Sequence, residues 1–328
     1  INLTRTDTSV FSALLATTVM NGSTDTKELL RGVNIDSNTG KELKIEDVLK
    51  DPVGLYDRVE KENYLADEYG EDIEEFSEKL KAVLTNPDTF KLGANDKANL
   101  AWTLSSAGMM IYMTAKGEYG ERIVSIPLEY AIYGEFFNED ILRLPKDYAF
   151  EIPTDKEVKI NLDGKIRTVK IEQDIDEYLM LKEIDVTIDG EKSTYEEGAS
   201  YGISKASVVK KGDNAYLYIE LQYDNDYNSI SIIDLNNKSE KMEIQESFAD
   251  TALLNPDEFY LGNRIYTIST LGIEGRYTLG NNGMPKLLEN YYNITTPIRL
   301  TTKIDIKGKN IDGTNGKELG DYNISKGT

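Results

Sequence analysis

The feature that most constrains this chain is a series of short apolar segments separated by glycine-containing turns in its second half. Asp163-Gly164, Asp189-Gly190 and Gly212-Asp213-Asn214 are turn sequences at close spacing, and glycine readily adopts the positive φ that tight hairpins need. The segments between these turns are rich in Val, Ile and Tyr, which favour strands. This pattern predicts an all-β domain, either a sandwich or an open barrel.

A domain boundary is predicted near Leu144 to Pro153, where two prolines and a charge cluster coincide with a change of pattern. We therefore expect domains at residues 1–148 and 149–328, close to the usual domain size of about 150 residues. The strands predicted first in the second domain are Val158–Leu162, Lys165–Glu172, Glu183–Ile188, Ser200–Lys210, Ala215–Tyr223 and Ser229–Leu235.

The first domain combines strand patterns with two helical patterns. Asp51-Pro52 has the form of an N-cap followed by proline at the first helical position, and predicts a helix to about Ala66. Asp67 to Leu84 carries apolar residues at helical spacing and predicts a second helix. Strands are predicted on both sides of the helices, so we expect an α+β domain in which an antiparallel sheet is packed by two helices.

One decapeptide occurs twice with small changes. Asn34 to Leu43 reads NIDSNTGKEL and Asn310 to Leu319 reads NIDGTNGKEL, so seven of ten positions agree. We interpret both as the same hairpin, with the turn of the first copy ending at Gly40 in positive φ. The spacing Asn34-x-Asp36-x-Asn38 resembles a calcium loop, but Thr39 stands where such a loop needs glycine. A polar hairpin turn is therefore the better interpretation, and no metal site is expected.

Composition excludes several classes of function. The chain has no His and no Cys, which excludes nucleophile pairs with histidine, thiolate nucleophiles, disulfides and Cys-type zinc sites. Its 37 basic and 58 acidic residues give a formal net charge of −21, which argues against binding a nucleic-acid backbone. The longest apolar stretch is too short to span a membrane. No cofactor fingerprint is present.

Two motifs have both a functional and a structural interpretation. Ser207-x-x-Lys210 has the spacing of a Ser-Lys nucleophile, which requires a helix, but its flanks predict a strand that would place the two side chains on opposite faces. Acidic residues at the start of the second helix form either a solvated face or a docking surface for a basic protein. These residues are Glu71, Asp72, Glu74 and Glu75.

The first 140 residues resemble the RsiV-like family, which includes the extracellular domain of an anti-sigma factor that senses lysozyme. The resemblance rests on Arg5-Thr6-Asp7, on VNIDSNTGKELKIEDVL from Val33 to Leu49, on the two helices, and on Ile123 to Pro127. The second half resembles an uncharacterised β-rich domain of secreted clostridial proteins. The segments that carry this similarity include Tyr216–Glu220 and Ile232–Asn236.

These resemblances imply an exported protein of a Gram-positive bacterium, held at the cell surface or released. Together with the missing catalytic residue types, they favour a non-enzymatic binding or sensing module without catalytic residues. The expected partner is a basic protein such as lysozyme, or cell-wall glycan. Two alternatives remain open: a structural spacer without a ligand, and a hydrolase that uses two carboxylates on wall glycan.

Overall fold

The protein is mainly β, and its strands form several small sheets rather than one large one. The computed structural model describes residues 1–21, 25–61, 73–85, 100–117, 120–154, 156–162, 164–223, 228–236, 241–248, 253–265, 271–295, 301, 303–311 and 318–325. Strands make up 58% and helices 15%, and five small antiparallel sheets stand in a β-propeller-like ring. The predicted fold class, an α+β domain followed by a sandwich or open barrel, is therefore wrong.

The ladders of the described residues define five sheets of three to five strands and one separate pair. Sheet A contains β1 (Asn2–Thr6), β2 (Val10–Asn21) and β3 (Asp25–Asp36). Sheet B contains β4 (Leu100–Leu104), β5 (Gly108–Gly117) and β6 (Gly120–Glu129). The next strand, β7 (Tyr148–Ile152), belongs to sheet D. Sheet C contains β8 (Val158–Leu162), β9 (Lys165–Ile175), β10 (Leu181–Ile188) and β11 (Glu191–Ser200).

The remaining strands complete the ring. Sheet D joins β7 to β12 (Gly202–Lys211), β13 (Asn214–Gln222), β14 (Asn228–Asp234) and β15 (Lys241–Ile244). Sheet E contains β16 (Ser247–Phe248), β17 (Phe259–Ile265), β18 (Leu271–Leu279), β19 (Pro285–Leu287) and β20 (Asn293–Ile294). The separate pair is β21 (Ile306–Ile311) with β22 (Glu318–Ile324).

The described helices all lie in the first half of the chain, and the start of one of them matches its sequence signal. They are α1 (Ile45–Val48), α2 (Pro52–Lys61), α3 (Ile73–Thr85), α4 (Tyr130–Tyr133), a 3₁₀ turn (Gly134–Phe136) and α5 (Glu139–Leu142). The carboxylate of Asp51 accepts a hydrogen bond from the backbone N–H of Gly54 at 2.9 Å. Asp51 therefore caps α2 as predicted, because it satisfies a donor of the first turn.

Sheets A and B are joined by a buried hydrogen-bond network rather than forming one sheet. Ser12 Oγ donates to Asn34 Oδ1 at 2.6 Å, and Asn34 Nδ2 donates to the carbonyl of Trp102 at 2.8 Å. A Cβ on Gly32 would lie 2.0 Å from that carbonyl oxygen, so only glycine permits this close approach of β3 to β4. The predicted single sheet is thus two sheets, with helices α1–α3 in the same core as sheet B.

Sheet D is covered on both faces, which a two-layer sandwich does not allow. One face packs with sheet C, through residues such as Val208 and Ile184. The other face packs with sheet E, through residues such as Tyr218 and Leu261. Seven consecutive residues of β13 are consequently buried. A strand buried on both faces has a continuous apolar run instead of alternation, and this is why sheets C, D and E form three layers.

The predicted turns agree with the structure, unlike the predicted fold class. Gly40, Gly164, Gly190 and Gly212 all adopt positive φ. Strand β11 was not predicted, because its sequence EKSTYEEGAS is polar and lies at a sheet edge. The turn of the second decapeptide lies at 312–317, outside the described residues, although β21 and β22 on either side of it pair. The division at residues 148 and 149 remains a prediction.

Candidate ligand cavity

An opening with converging polar groups lies where sheets A, B, C and D meet. Its volume is about 560 Å³, which is within the usual range for small-ligand sites. Leu3 comes from β1, Met110 from β5, Glu151 from β7, Lys159 from β8 and Ser207 from β12. The ring of sheets thus brings residues far apart in sequence to one cavity.

The lining combines an apolar surface with charges of both signs. Its apolar members include Leu3, Met110, Pro127, Ile132 and Leu254. Its charged members are Glu129, Glu151, Lys156, Glu157 and Lys159. A cavity of this kind fits a ligand that has an apolar part and at least one ionised group, because apolar burial supplies affinity and a few polar groups fix orientation.

Glu129 is the carboxyl most strongly affected by this environment. It ends β6 immediately before α4. Burial raises its pKa to about 7, although the backbone N–H of Lys159 and the charges of Lys156 and Lys159 act in the opposite direction. Burial disfavours the charged form of a carboxyl. Near neutral pH the carboxyl of Glu129 is therefore divided between its protonated and ionised forms.

Glu151 is the second carboxyl of the cavity with a raised pKa. The main cause is desolvation in the cavity, although Glu151 is still an exposed residue of β7. The charge of Lys205 opposes this rise in pKa, and the charge of Glu220 reinforces it. The negative charge of Glu151 also contributes to the raised pKa of Tyr112, for which burial is again the largest cause. Tyr112 receives a hydrogen bond from Thr103 at 3.3 Å. Glu151 and Tyr112 thus belong to one electrostatic group within the cavity lining.

Glu220 lies in sheet D, as Glu151 does, but its carboxylate is fully hydrogen-bonded within the fold. Its Oε1 accepts hydrogen bonds from the backbone N–H of Phe248 at 3.0 Å and from Asn228 at 3.1 Å, and its Oε2 accepts one from Ser204 at 2.9 Å. These three donors satisfy a carboxylate that is only 5% exposed. We therefore assign Glu220 a structural role, in contrast to Glu129 and Glu151.

The predicted acidic docking face lies outside the part of the chain whose side chains the structure describes. Glu71 and Asp72 lie outside the described residues. Glu74 and Glu75 lie in the first turn of α3, but their side chains are also outside the described part. The docking role of these four residues remains a prediction.

The structural interpretations of the Ser-Lys spacing and of the calcium-like segment are confirmed. Ser207 and Lys210 lie on strand β12 and point to opposite faces, as the strand prediction required. Lys210 Nζ instead donates to the carbonyls of Lys146 and Gly212 at 2.9 and 2.8 Å. In the calcium-like segment, the carboxylate of Asp36 accepts a hydrogen bond from the backbone N–H of Asn38 at 2.8 Å and so closes the hairpin turn.

Sequence reasoning missed both cavity glutamates. Glu129 and Glu151 are two of the 58 acidic residues, and neither belongs to a motif with characteristic spacing. One local feature marks them: each glutamate is flanked by apolar residues of a strand, in the segments IPLEYAI and YAFEIP. A carboxyl within an apolar strand is a candidate for a buried or functional site, but only the contact between distant sheets brings these two carboxyls to one cavity.

Comparison with known families, with curated proteins and with solved structures found no match for this chain. Within the described ranges, no group of three or more acidic residues is arranged to hold a metal ion. The described helices include none that is long and apolar enough to cross a membrane. The case for a function therefore depends on the cavity itself.

Proposed function

We propose that this chain is a non-enzymatic binding module whose ligand occupies the cavity between sheets A, B, C and D. The observation that carries the proposal is the placement of two carboxyls with raised pKa, Glu129 and Glu151, in one mostly apolar cavity of about 560 Å³. Burial of a carboxyl without full compensation costs stability. A ligand that supplies a cationic group or a hydrogen-bond donor would recover that cost.

The ligand class that fits best is a short peptide segment or a peptide-bearing fragment of cell-wall glycan. Lys156 and Lys159 provide partners for a carboxylate, and the three lining glutamates provide partners for an amine. The apolar surface accommodates aliphatic side chains or the faces of sugar rings. A ligand with charges of both signs would use the whole lining, whereas a simple anion would be repelled by the glutamates.

Isothermal titration with defined peptidoglycan fragments, with and without stem peptides, and with short peptides tests this proposal. We expect binding of the fragments that carry an amine. Glu151→Gln should weaken it about tenfold by removing one charge-assisted contact, and Met110→Trp should abolish it by filling the cavity. Glu139→Gln is the matched control, because Glu139 is exposed on α5 and outside the cavity lining.

The proposal fails if no fragment binds, or if all fragments bind Met110→Trp as tightly as the natural chain. A thermal unfolding curve for each variant separates loss of binding from loss of fold. Trp102 is the only tryptophan, and it is the neighbour in sequence of Thr103, which lines the cavity. Its fluorescence therefore offers a second readout for ligands. A chain that serves only as a structural spacer would show no response in any of these measurements.

A carboxylate-based hydrolase is the second candidate, and one observation favours it. Glu129 near neutral pH retains a proton on part of the molecules, as a general acid must, and Glu151 lines the same cavity. Turnover of peptidoglycan and chitin oligomers that is lost in both Glu129→Gln and Glu151→Gln would establish catalysis. Absence of turnover in the natural chain, together with fragment binding, would support the binding module and exclude the hydrolase.

The exported location is proposed on the family resemblance alone. Fractionation of cells that produce the full-length natural protein checks it, because a surface or secreted protein is recovered from the wall, the membrane or the medium. Recovery from the cytosol alone would contradict both the location and a role with wall glycan. Binding of lysozyme, the partner that the resemblance implies, is tested by titration at low salt.

A further inference from the structure

The hairpin between β9 and β10 presents apolar side chains to solvent at its end. Residues 172–179 are all exposed. Tyr178 is 75% exposed, Leu179 is 74% exposed and Ile175 is 45% exposed. We call residues 175–179 the β9–β10 tip. Single exposed apolar residues are common on protein surfaces, but three within five residues at a hairpin end form a local patch.

The β9–β10 tip is well ordered by its own hydrogen bonds. Asp176 Oδ1 accepts hydrogen bonds from the backbone N–H groups of Tyr178 and Met180 at 2.8 and 2.9 Å. The backbone N–H of Asp176 donates to the carbonyl of Met180 at 2.8 Å. An Asp side chain that binds the backbone two residues later stabilises a turn. The backbone that carries the apolar side chains is therefore held in one turn conformation, which lowers the entropic cost of binding.

Leu179 has a backbone conformation that leucine disfavours. Its φ is +62°, and among the described residues the other non-glycine residue with positive φ is Asp189, at +52°. Asp189 tolerates this conformation well, and its carboxylate binds Arg167 and the backbone of Thr168 at 2.6 and 2.9 Å. Leu179 gains no comparable packing, since it is 74% exposed. Glycine would be the favourable residue there for folding, so a leucine at this position points to a role outside folding.

The surroundings of the tip are acidic. The acidic residues between positions 170 and 183 are Glu172, Asp174, Asp176, Glu177 and Glu183, and the basic ones are Lys170 and Lys182. Lys170 pairs with Glu172 at 2.6 Å, and Lys182 pairs with Asp174 at 3.3 Å. Both lysines are therefore neutralised locally, and the remaining charge of the hairpin is negative. Such a field attracts a cationic surface and repels an anionic one, such as an anionic lipid bilayer.

We propose that the β9–β10 tip is a docking site for a basic protein, with Tyr178 and Leu179 entering an apolar pocket that lysine and arginine residues surround. Large apolar anchors at the centre of an interface carry most of the binding energy, and charges at the rim accelerate association. The tip belongs to sheet C but none of its residues lines the cavity. This proposal is therefore independent of the proposed cavity ligand.

A displayed library of random 12-residue peptides, selected on the full chain, tests the proposal. We expect enriched peptides with an apolar residue flanked by Lys or Arg, and binding that weakens as salt is raised. One synthetic peptide from the selection is then titrated against variants by fluorescence anisotropy. Leu179→Gly and Tyr178→Ser should each weaken binding at least tenfold. Ile304→Ser is the matched control, because Ile304 is 70% exposed elsewhere on the chain.

Leu179→Gly also separates recognition from folding. It removes the side chain and relieves the unfavourable φ, so its unfolding midpoint should equal or slightly exceed that of the natural chain while binding is lost. The proposal is overturned if no cationic peptide is enriched, or if enriched peptides bind Leu179→Gly and Tyr178→Ser as tightly as the natural chain. Vesicle binding that depends on Leu179 would also overturn it, because the tip would then be a lipid contact.

Discussion

Two charged sites, one around Arg5 and one in the cavity, differ in how their charges are satisfied. Arg5 is 1% exposed and donates hydrogen bonds to Asp7 at 2.6 Å and to the carbonyls of Ile141 and Arg143 at 3.0 and 3.1 Å. In the cavity, partial desolvation raises the pKa of Glu129 and Glu151 despite nearby lysines. The first site is closed and complete, whereas the second is open and incompletely compensated.

The difference indicates separate roles for the two sites. A buried ion pair that also donates to two backbone carbonyls favours one arrangement of the chain, here the position of the end of α5 against β1. An open site with desolvated carboxyls reduces stability, and carboxyls with raised pKa values are frequent at binding and catalytic sites. Substitutions at the two sites should accordingly change the free energy of unfolding in opposite directions.

The largest effect is expected for Arg5→Ala. The substitution leaves the carboxylate of Asp7, whose side chain is 7% exposed, without its cation, and leaves two carbonyls without donors. Removal of one partner from a buried pair costs about 3–5 kcal/mol. Urea unfolding of the natural chain and the variant measures this loss. A loss below about 1 kcal/mol, the value typical of a surface pair, would show that Arg5 does not hold this junction.

Glu129→Gln should act in the opposite direction and depend on pH. The folded protein has a pKa of about 7 for Glu129, above the ordinary value of 4.5. As pH rises from 4.5 to 7, unfolded chains lose this proton first, so the stability that Glu129 contributes falls in that window and reaches its minimum above pH 7. The variant does not titrate, and we expect it to exceed the natural chain by on the order of 2 kcal/mol above pH 7.

Thermal unfolding at several pH values between 4 and 8 checks this expectation. The difference between variant and natural chain should be small near pH 4.5 and grow toward pH 8. Because other carboxyls titrate in both proteins, the difference between the two curves isolates Glu129. A constant difference across the range would mean that this carboxyl keeps an ordinary pKa, and the contrast between the two sites would be lost.

The smallest effect is expected for Arg167→Lys. Arg167 is 6% exposed and donates to Asp189 at 2.6 Å and to the carbonyl of Leu235 at 2.9 Å, so it resembles Arg5 in kind. Asp189 is more accessible than Asp7, at 35% against 7%. Lysine retains the charge but not the forked geometry, and a loss of about 1 kcal/mol is expected for one hydrogen bond. A loss equal to that of Arg5→Ala would show that solvent access matters less than geometry.

Local features of the fold were predictable because neighbouring residues determine them. Asp51 caps α2, and Gly40, Gly190 and Gly212 provide positive φ at turns, each for reasons that a few adjacent residues contain. The β12–β13 hairpin is likewise adjacent in sequence and was predicted closely. The edge strand β11 was missed because an edge position tolerates polar residues that carry no strand signal.

The arrangement of the sheets was not predictable in the same way. The strands of sheet C are inserted between β7 and β12, which pair with each other across about 50 residues. No local pattern reports such a pairing, because the apolar run of β13 fits a sandwich core and a central layer equally well. The helices α2 and α3 suggested an α+β domain, yet they cover part of a larger ring of sheets.

The sequence by itself determined the chemistry that this protein lacks, the positions of its turns and most of its strands. These properties depend on residue types and on neighbours along the chain. The tertiary structure alone decided that Arg5 is buried in an ion pair with a structural role, that Glu129 and Glu151 share one cavity, and that Leu179 is exposed in a disfavoured conformation. Burial and solvation create these roles, and both depend on residues that are distant in sequence.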